Sequence, residues 1–227
     1  MVAVFELSSL DDSGKFAHAY VEGTYIEHPD CPKCGAFQEE RISPLVIEWE
    51  PGSDLIADFT FLMILEVVLI KDPVREFLKM KGFTGFEFGP VTMIQNPKLK
   101  KPLRPNRRST RRVWLPYEGP PLSELKIAPS CDLNYEKSRW TLLAECDTCH
   151  TKQFSDDKGR GLPYEESLIV DGSTWNGSDF FRLHGNPITY VTERAAEALQ
   201  SANFSNLRIR RRGFICSANI QKRRRVS

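Results

Sequence analysis

Cys31-Pro-Lys-Cys34-Gly35 and Cys146-Asp-Thr-Cys149-His150 repeat one pattern at positions more than a hundred residues apart. Two residues between cysteines let both sulfurs face one ion across a tight turn, whose amides can donate to the thiolates. Pro32 and Gly35 suit such a knuckle, because glycine after the second cysteine accepts a left-handed backbone. His150 holds that position in the second copy, and histidine is among the few other residues that tolerate it. Four thiolates complete a tetrahedral zinc shell. Cys31, Cys34, Cys146 and Cys149 are therefore expected to hold one structural Zn2+ ion, with two ligands from each half of the chain. The separation of the pairs far exceeds that in a zinc ribbon, so the fold must bring them together. Two other readings stay open. A redox dithiol needs a helix after the first cysteine, whereas Glu39 to Pro44 and Gln153 to Gly159 read as turn and strand. The Cys-x-x-Cys-His form of haem attachment fits the second pair only.

The likeness extends beyond the cysteines. Trp49-Glu-Pro-Gly-Ser-Asp54 is matched by Trp175-Asn-Gly-Ser-Asp179, and strand-like runs follow at Leu62 to Ile70 and at Pro187 to Val191. Each run leads into a short helix. Asp72 reads as an N-cap with Pro73 at the first helical position, the helix running to Met80 and ending at Gly82. Thr192 reads as the cap of Glu193 to Gln200, a run of strong helix formers. Phe-led strands close both halves, Phe83 to Phe88 and Phe204 to Ile209. This order predicts an α+β fold of two internally duplicated, strand-rich units, each with one short helix, stapled by the four-cysteine zinc site. The expected boundaries are 1–96 and 113–212 for the units, 97–112 for a basic, proline-rich connector and 213–227 for a basic tail.

Composition narrows the class. The 227 residues are 41% apolar and 27% charged with a net charge of +1, the balance of a globular chain with a sizeable core. The most apolar segment, Phe59 to Ile70, is short and carries Glu66, so no membrane insertion is expected. Six cysteines without a basic-then-apolar leader point to reduced thiols or metal in the cytoplasm. Charge is unevenly laid out. Met1 to Glu66 holds thirteen Asp/Glu against three Lys/Arg, while 97–112 and 208–225 each hold eight Lys/Arg and no acid. Such blocks are commonly solvated loops. They also offer opposed faces to a charged partner, and Glu39, Glu40, Glu48, Glu50, Asp54 and Asp58 form the candidate docking acids.

Catalysis has little support. The chain lacks a nucleophile elbow, a His-Glu-x-x-His helix, a phosphate loop and a dinucleotide glycine fingerprint. Asp54 and Asp179 beside Gly-Ser could make an acid–base pair, but Ser-Asp more commonly caps turn amides. Trp49 and Trp175 read as packing residues, Cys131 as a buried thiol and Cys216 as part of the basic tail. No enzyme is expected.

With these residues in view, the chain resembles the double-CXXCG motif family, a paralogous family of myxobacteria. The resemblance rests on the two cysteine motifs, on Phe86-Glu-Phe-Gly-Pro90-Val91, and on Asp179-Phe-Phe-Arg-Leu183 leading to Thr192-Glu193-Arg194. It covers the chain from Phe5 to about Ile209, and His150 is its one departure, standing where the family has glycine. The resemblance implies an immunity protein of the Sit lipoprotein toxin system, which binds and neutralises a cognate toxin encoded by an adjacent gene and delivered by neighbouring cells. It names no toxin-contacting residue. The competing expectation is a zinc-knuckle nucleic-acid-binding protein, supported by the basic blocks and by Trp114 and Phe214 nearby. Because those blocks read as loop and tail, nucleic acid is the less favoured partner.

Overall fold

Brief alternating runs of β-branched and aromatic residues between turn formers make this a chain of short strands. A computed structural model describes residues 1–10, 13–36, 38–62, 67–103, 111–154 and 164–216. Its first half contains β1 (Val2–Ser8), β2 (Ala19–Val21), β3 (Tyr25–His28), β4 (Gln38–Arg41), β5 (Leu45–Trp49), β6 (Phe59–Phe61), β7 (Val68–Lys71), α1 (Asp72–Met80), β8 (Glu87–Gly89) and β9 (Val91–Ile94). The second contains β10 (Leu122–Lys126), β11 (Pro129–Cys131), β12 (Leu142–Glu145), β13 (Lys152–Phe154), β14 (Leu168–Asp171), β15 (Phe180–Leu183), β16 (Thr189–Thr192), α2 (Glu193–Ala202) and β17 (Arg208–Cys216). The strand-rich α+β class with two short helices is therefore present. Among the described residues, no helix is long and apolar enough to cross a membrane.

The sheets are wired alike. One has the order β6-β7-β10-β8, and the larger one contains the run β15-β16-β1-β17. Registers agree residue by residue. Leu122, Ser123 and Glu124 face Lys71, Ile70 and Leu69, while Val4, Phe5 and Glu6 face Thr192, Val191 and Tyr190. On the other side Glu124 and Leu125 face Gly89 and Phe88, as Glu6 and Leu7 face Arg210 and Ile209. Parallel pairs complete both patterns, β5 with β9 and β14 with β17. The central strand of each sheet comes from the other half. β1 lies in the sheet otherwise built from β11 and the strands of 168–216, and β10 lies in the sheet built from 59–89. The expected boundaries 1–96 and 113–212 thus do not coincide with the sheets.

Each helix lies on its own sheet, α1 against β7 and β10 and α2 against β16 and β1. Both contribute to one core, in which Val74 and Leu78 of α1 meet Phe59, Phe180, Val191 and Leu199. The helix ends differ from expectation in detail. Lys71 rather than Asp72 takes the N-cap conformation, and Asp72 is the first helical residue, where its charge suits the dipole. Thr192 is the N-cap of α2, but its hydroxyl donates to Asp179 and accepts no amide of its own helix. Gly82 has φ +62° after α1, as the sequence suggested, and Asn203 has φ +52° after α2.

Candidate metal centre

Each cysteine pair sits at the tip of a hairpin, β3–β4 or β12–β13, and not at the start of a helix. The two tips are built from the same backbone bonds. The Cys31 amide donates to Ala36 and the Gly35 amide to Cys31, just as the Cys146 amide donates to Thr151 and that of His150 to Cys146. Gly35 has φ +70° and His150 has φ +57°, so histidine occupies the left-handed position that the motif assigns to glycine.

The hairpins meet tip to tip. Cys31 Sγ lies 3.7 Å from Cys146 Sγ, and Cys34 Sγ lies 3.4 Å from Cys149 Sγ. All four sulfurs fall within 4.8 Å of one another. A tetrahedron with metal–sulfur bonds of about 2.3 Å has edges of roughly 3.8 Å, so this set fits a single four-coordinate ion. Lys33 pairs with Asp147 across the same junction. Cys31 and Cys146 are buried, Cys149 is half-buried and Cys34 faces solvent.

The sulfurs are poised unequally. The Thr151 hydroxyl and amide favour the Cys149 thiolate and lower its pKa to about 6. Amides of Cys149 and Thr148 lower that of Cys146. At Cys34 the Ala36 amide acts in the same direction, but Cys149, desolvation and the other two sulfurs outweigh it and push the thiol up to about 12. Four adjacent sulfurs cannot all ionise unaided, because like charges at this range repel strongly. A divalent cation would remove that conflict, as cysteine binds metal as the thiolate.

No family model matches the chain, and no curated protein matches it.

The other expected site residues scatter. Glu40 is exposed and lies 3.0 Å from His28 Nε2, and Glu48 accepts the Asn96 amide. Glu50 is half-buried and Asp54 is exposed, the latter lining a recess with Lys101, Arg111 and Arg112. The Glu39 side chain lies outside the described residues, as do 104–110 of the connector and 217–227 of the tail. Asp58 is engaged inside the molecule. Its carboxylate accepts from the Ser205 amide and hydroxyl at 2.9 and 2.7 Å and from Lys71 at 3.3 Å. Cys216 is buried at the end of β17, and Cys131 is buried with its thiol pushed up to about 12 by desolvation.

Asp58, not Asp54, is the structural counterpart of Asp179. Asp179 accepts from the Thr84 amide and hydroxyl, from Thr192 and from Arg194. Reciprocal main-chain bonds lie alongside, Phe59 to Ser205 and Phe180 to Thr84. Each acid immediately precedes a buried phenylalanine and reaches the loop after the other half's helix. The Gly-Ser-Asp resemblance hid this register, and the Asp-Phe pairs at 58–59 and 179–180 carried it.

Proposed function

We propose that this chain is a non-catalytic immunity protein of the cytoplasm that binds and neutralises a toxin delivered by neighbouring cells and encoded by an adjacent gene. The observation that carries the reading is the convergence of the two Cys-x-x-Cys tips. These are the motifs on which the resemblance to the double-CXXCG family rests, and here they form one potential metal site. In this reading the ion is Zn2+, held by Cys31, Cys34, Cys146 and Cys149 alone. A shell filled by four protein ligands leaves no open position for substrate, which suits a structural staple. Asp58 and Asp179 are occupied in joining the two halves, which favours a rigid stoichiometric binder over an acid–base catalyst.

We further read the halves as duplicated copies that have exchanged their central strands. The matched registers, helix positions, cysteine tips and Asp58/Asp179 clamps support this. In this reading Glu39, Glu40, Glu48, Glu50 and Asp54 remain the candidate docking acids, whose negative charge would speed encounter with a cationic toxin surface.

Co-expression with the product of the neighbouring toxin-like gene tests the function. Restored growth and a co-purifying complex are expected. Continued growth arrest with no complex would sink the immunity reading. Salt-sensitive binding to polynucleotide would then favour the nucleic-acid alternative.

A further inference from the structure

The four clustered sulfurs are not equally placed. Cys31 and Cys146 form an inner pair, both buried, with their sulfurs 3.7 Å apart. Cys34 and Cys149 form an outer pair, one exposed and one half-buried, with their sulfurs 3.4 Å apart. The closer pair is thus also the one that solvent reaches. Each pair takes one sulfur from each hairpin, so a bond within either would join the two halves of the chain. Cys131 and Cys216 are buried and stand outside the cluster.

Cysteine oxidation follows access and thiolate character, and a second sulfur at hand diverts the first product into a disulfide. A sulfur held by metal is already a thiolate, so access decides among the four. Closing the outer pair to a bond of about 2.05 Å brings its sulfurs roughly 1.4 Å nearer. That movement falls on two hairpin tips and leaves the core shared by α1 and α2 untouched. A bond within one hairpin would instead join an accessible sulfur to a buried one, Cys34 to Cys31 or Cys149 to Cys146.

We propose that Cys34 and Cys149 are a site of reversible oxidation, where a peroxide converts the outer sulfurs into a disulfide between the two hairpins. One thiolate of the pair attacks a peroxide oxygen, the O–O bond breaks, and a sulfenic acid forms as hydroxide leaves. The other thiolate attacks that sulfur, the S–S bond forms, and a second hydroxide leaves. The two sulfurs give up two electrons, and the peroxide is reduced to two hydroxides that take up protons as water. An ion in the cluster loses half of its ligands in this reaction, so its closed four-thiolate shell is broken and the ion is released. The tips stay joined, now by a covalent bond. The disulfide rests on sulfur geometry alone, whereas metal release rests also on the Zn2+ reading, so the two are tested on separate samples.

The reduced full chain is treated with hydrogen peroxide, once metal-free and once loaded with Zn2+. In the metal-free sample the six thiols counted after denaturation should fall to four. Mass mapping of non-reduced peptides should place the link at Cys34–Cys149, with Cys131 and Cys216 still reduced. In the loaded sample the same link should appear as about one ion per chain passes to a chromophoric chelator, and dithiothreitol should restore both thiols and metal. The double variant Cys31→Ser/Cys146→Ser should still form the link, and Cys34→Ser should form none between the hairpins. A link in protein that never takes up Zn2+ supports the oxidation site and counts against the zinc reading. The proposal is overturned if the first disulfide lies within either Cys-x-x-Cys pair or at Cys31–Cys146, or if Cys34 passes to the sulfinic acid without any link.

Discussion

His150 shows how one side chain can hold a motif together at a cost. A non-glycine residue in the left-handed region is disfavoured by roughly 1–2 kcal/mol, and His150 sits there with φ +57°. His150→Gly should relieve about 1 kcal/mol of that and tighten metal binding about fivefold, measured by competition with a chromophoric chelator. Cys149→Ser should act in the opposite direction. It removes the sulfur whose thiolate is most favoured, and bound metal should fall below one ion per chain by elemental analysis. Asp58 gives a residue-scale test of pH. Burial alone would raise its pKa, but the Ser205 hydroxyl and amide and the Lys71 ammonium outweigh it and hold the carboxyl below its ordinary value of 3.8. A depressed folded-state pKa gives stability that is fully present above the unfolded value and is lost as pH falls through the folded one. Asp58→Asn should therefore lower stability at neutral pH and flatten the acid limb below about pH 4 in a denaturant titration. An unchanged acid limb would show that the clamp adds nothing.

At the scale of elements, the first cysteine hairpin is anchored to the four-stranded sheet by an ion pair whose carboxylate is buried. Arg41, at the end of β4, meets Glu124 of β10 through both guanidinium nitrogens at 2.6 and 2.8 Å, and Glu124 is 2% exposed. The Glu124 partner raises the Arg41 pKa further, even against desolvation. Removing Arg41 strands a buried carboxylate, so Arg41→Ala should cost about 3–5 kcal/mol, whereas Glu124→Ala leaves a guanidinium that reaches solvent and should cost less. The double variant with apolar residues at both positions should recover much of that loss in chemical denaturation. Element types were largely legible in the sequence. Pro73 and Gly82 bracket α1, the helix formers after Thr192 give α2, and glycine spacing gives the cysteine tips. Strand partners were not. Val4 and Leu7 are buried on β1 much as Leu125 is on β10, and apolar residues in such short runs mark a strand for burial but not which sheet receives it. The placing of β1 beside β16 and β17, and of β10 beside β7 and β8, is therefore invisible to periodicity. The Asp58 clamp was hidden for a related reason: Asp58 looks like its acidic neighbours until Ser205, far along the chain, is placed beside it.

Across the whole molecule, the two halves are held by three independent devices: the pairing of β1 with strands of 168–216 and of β10 with strands of 59–89, the reciprocal Asp58 and Asp179 clamps, and the cysteine cluster. These do not carry equal weight. The shared core of α1, α2 and both sheets contains Phe59, Phe180, Leu78 and Leu199, all buried and none near the sulfurs in sequence. The hairpins that carry the cysteines are mostly exposed, with Ile26 and Leu143 in contact with solvent. Small zinc domains unfold without metal because the ion substitutes for a core, whereas this chain has a core of its own. Chelation should therefore unlock the cysteine tips while the sheets and helices remain. Hydrogen exchange on metal-free protein should lose protection in 25–41 and 142–154, while amides of Val74 to Leu78 and Ala195 to Leu199 stay protected. Tm should fall, but a cooperative transition should persist. If protection instead collapses throughout once metal is removed, the ion is the keystone of the fold and the strand pairing between the halves is insufficient to hold it.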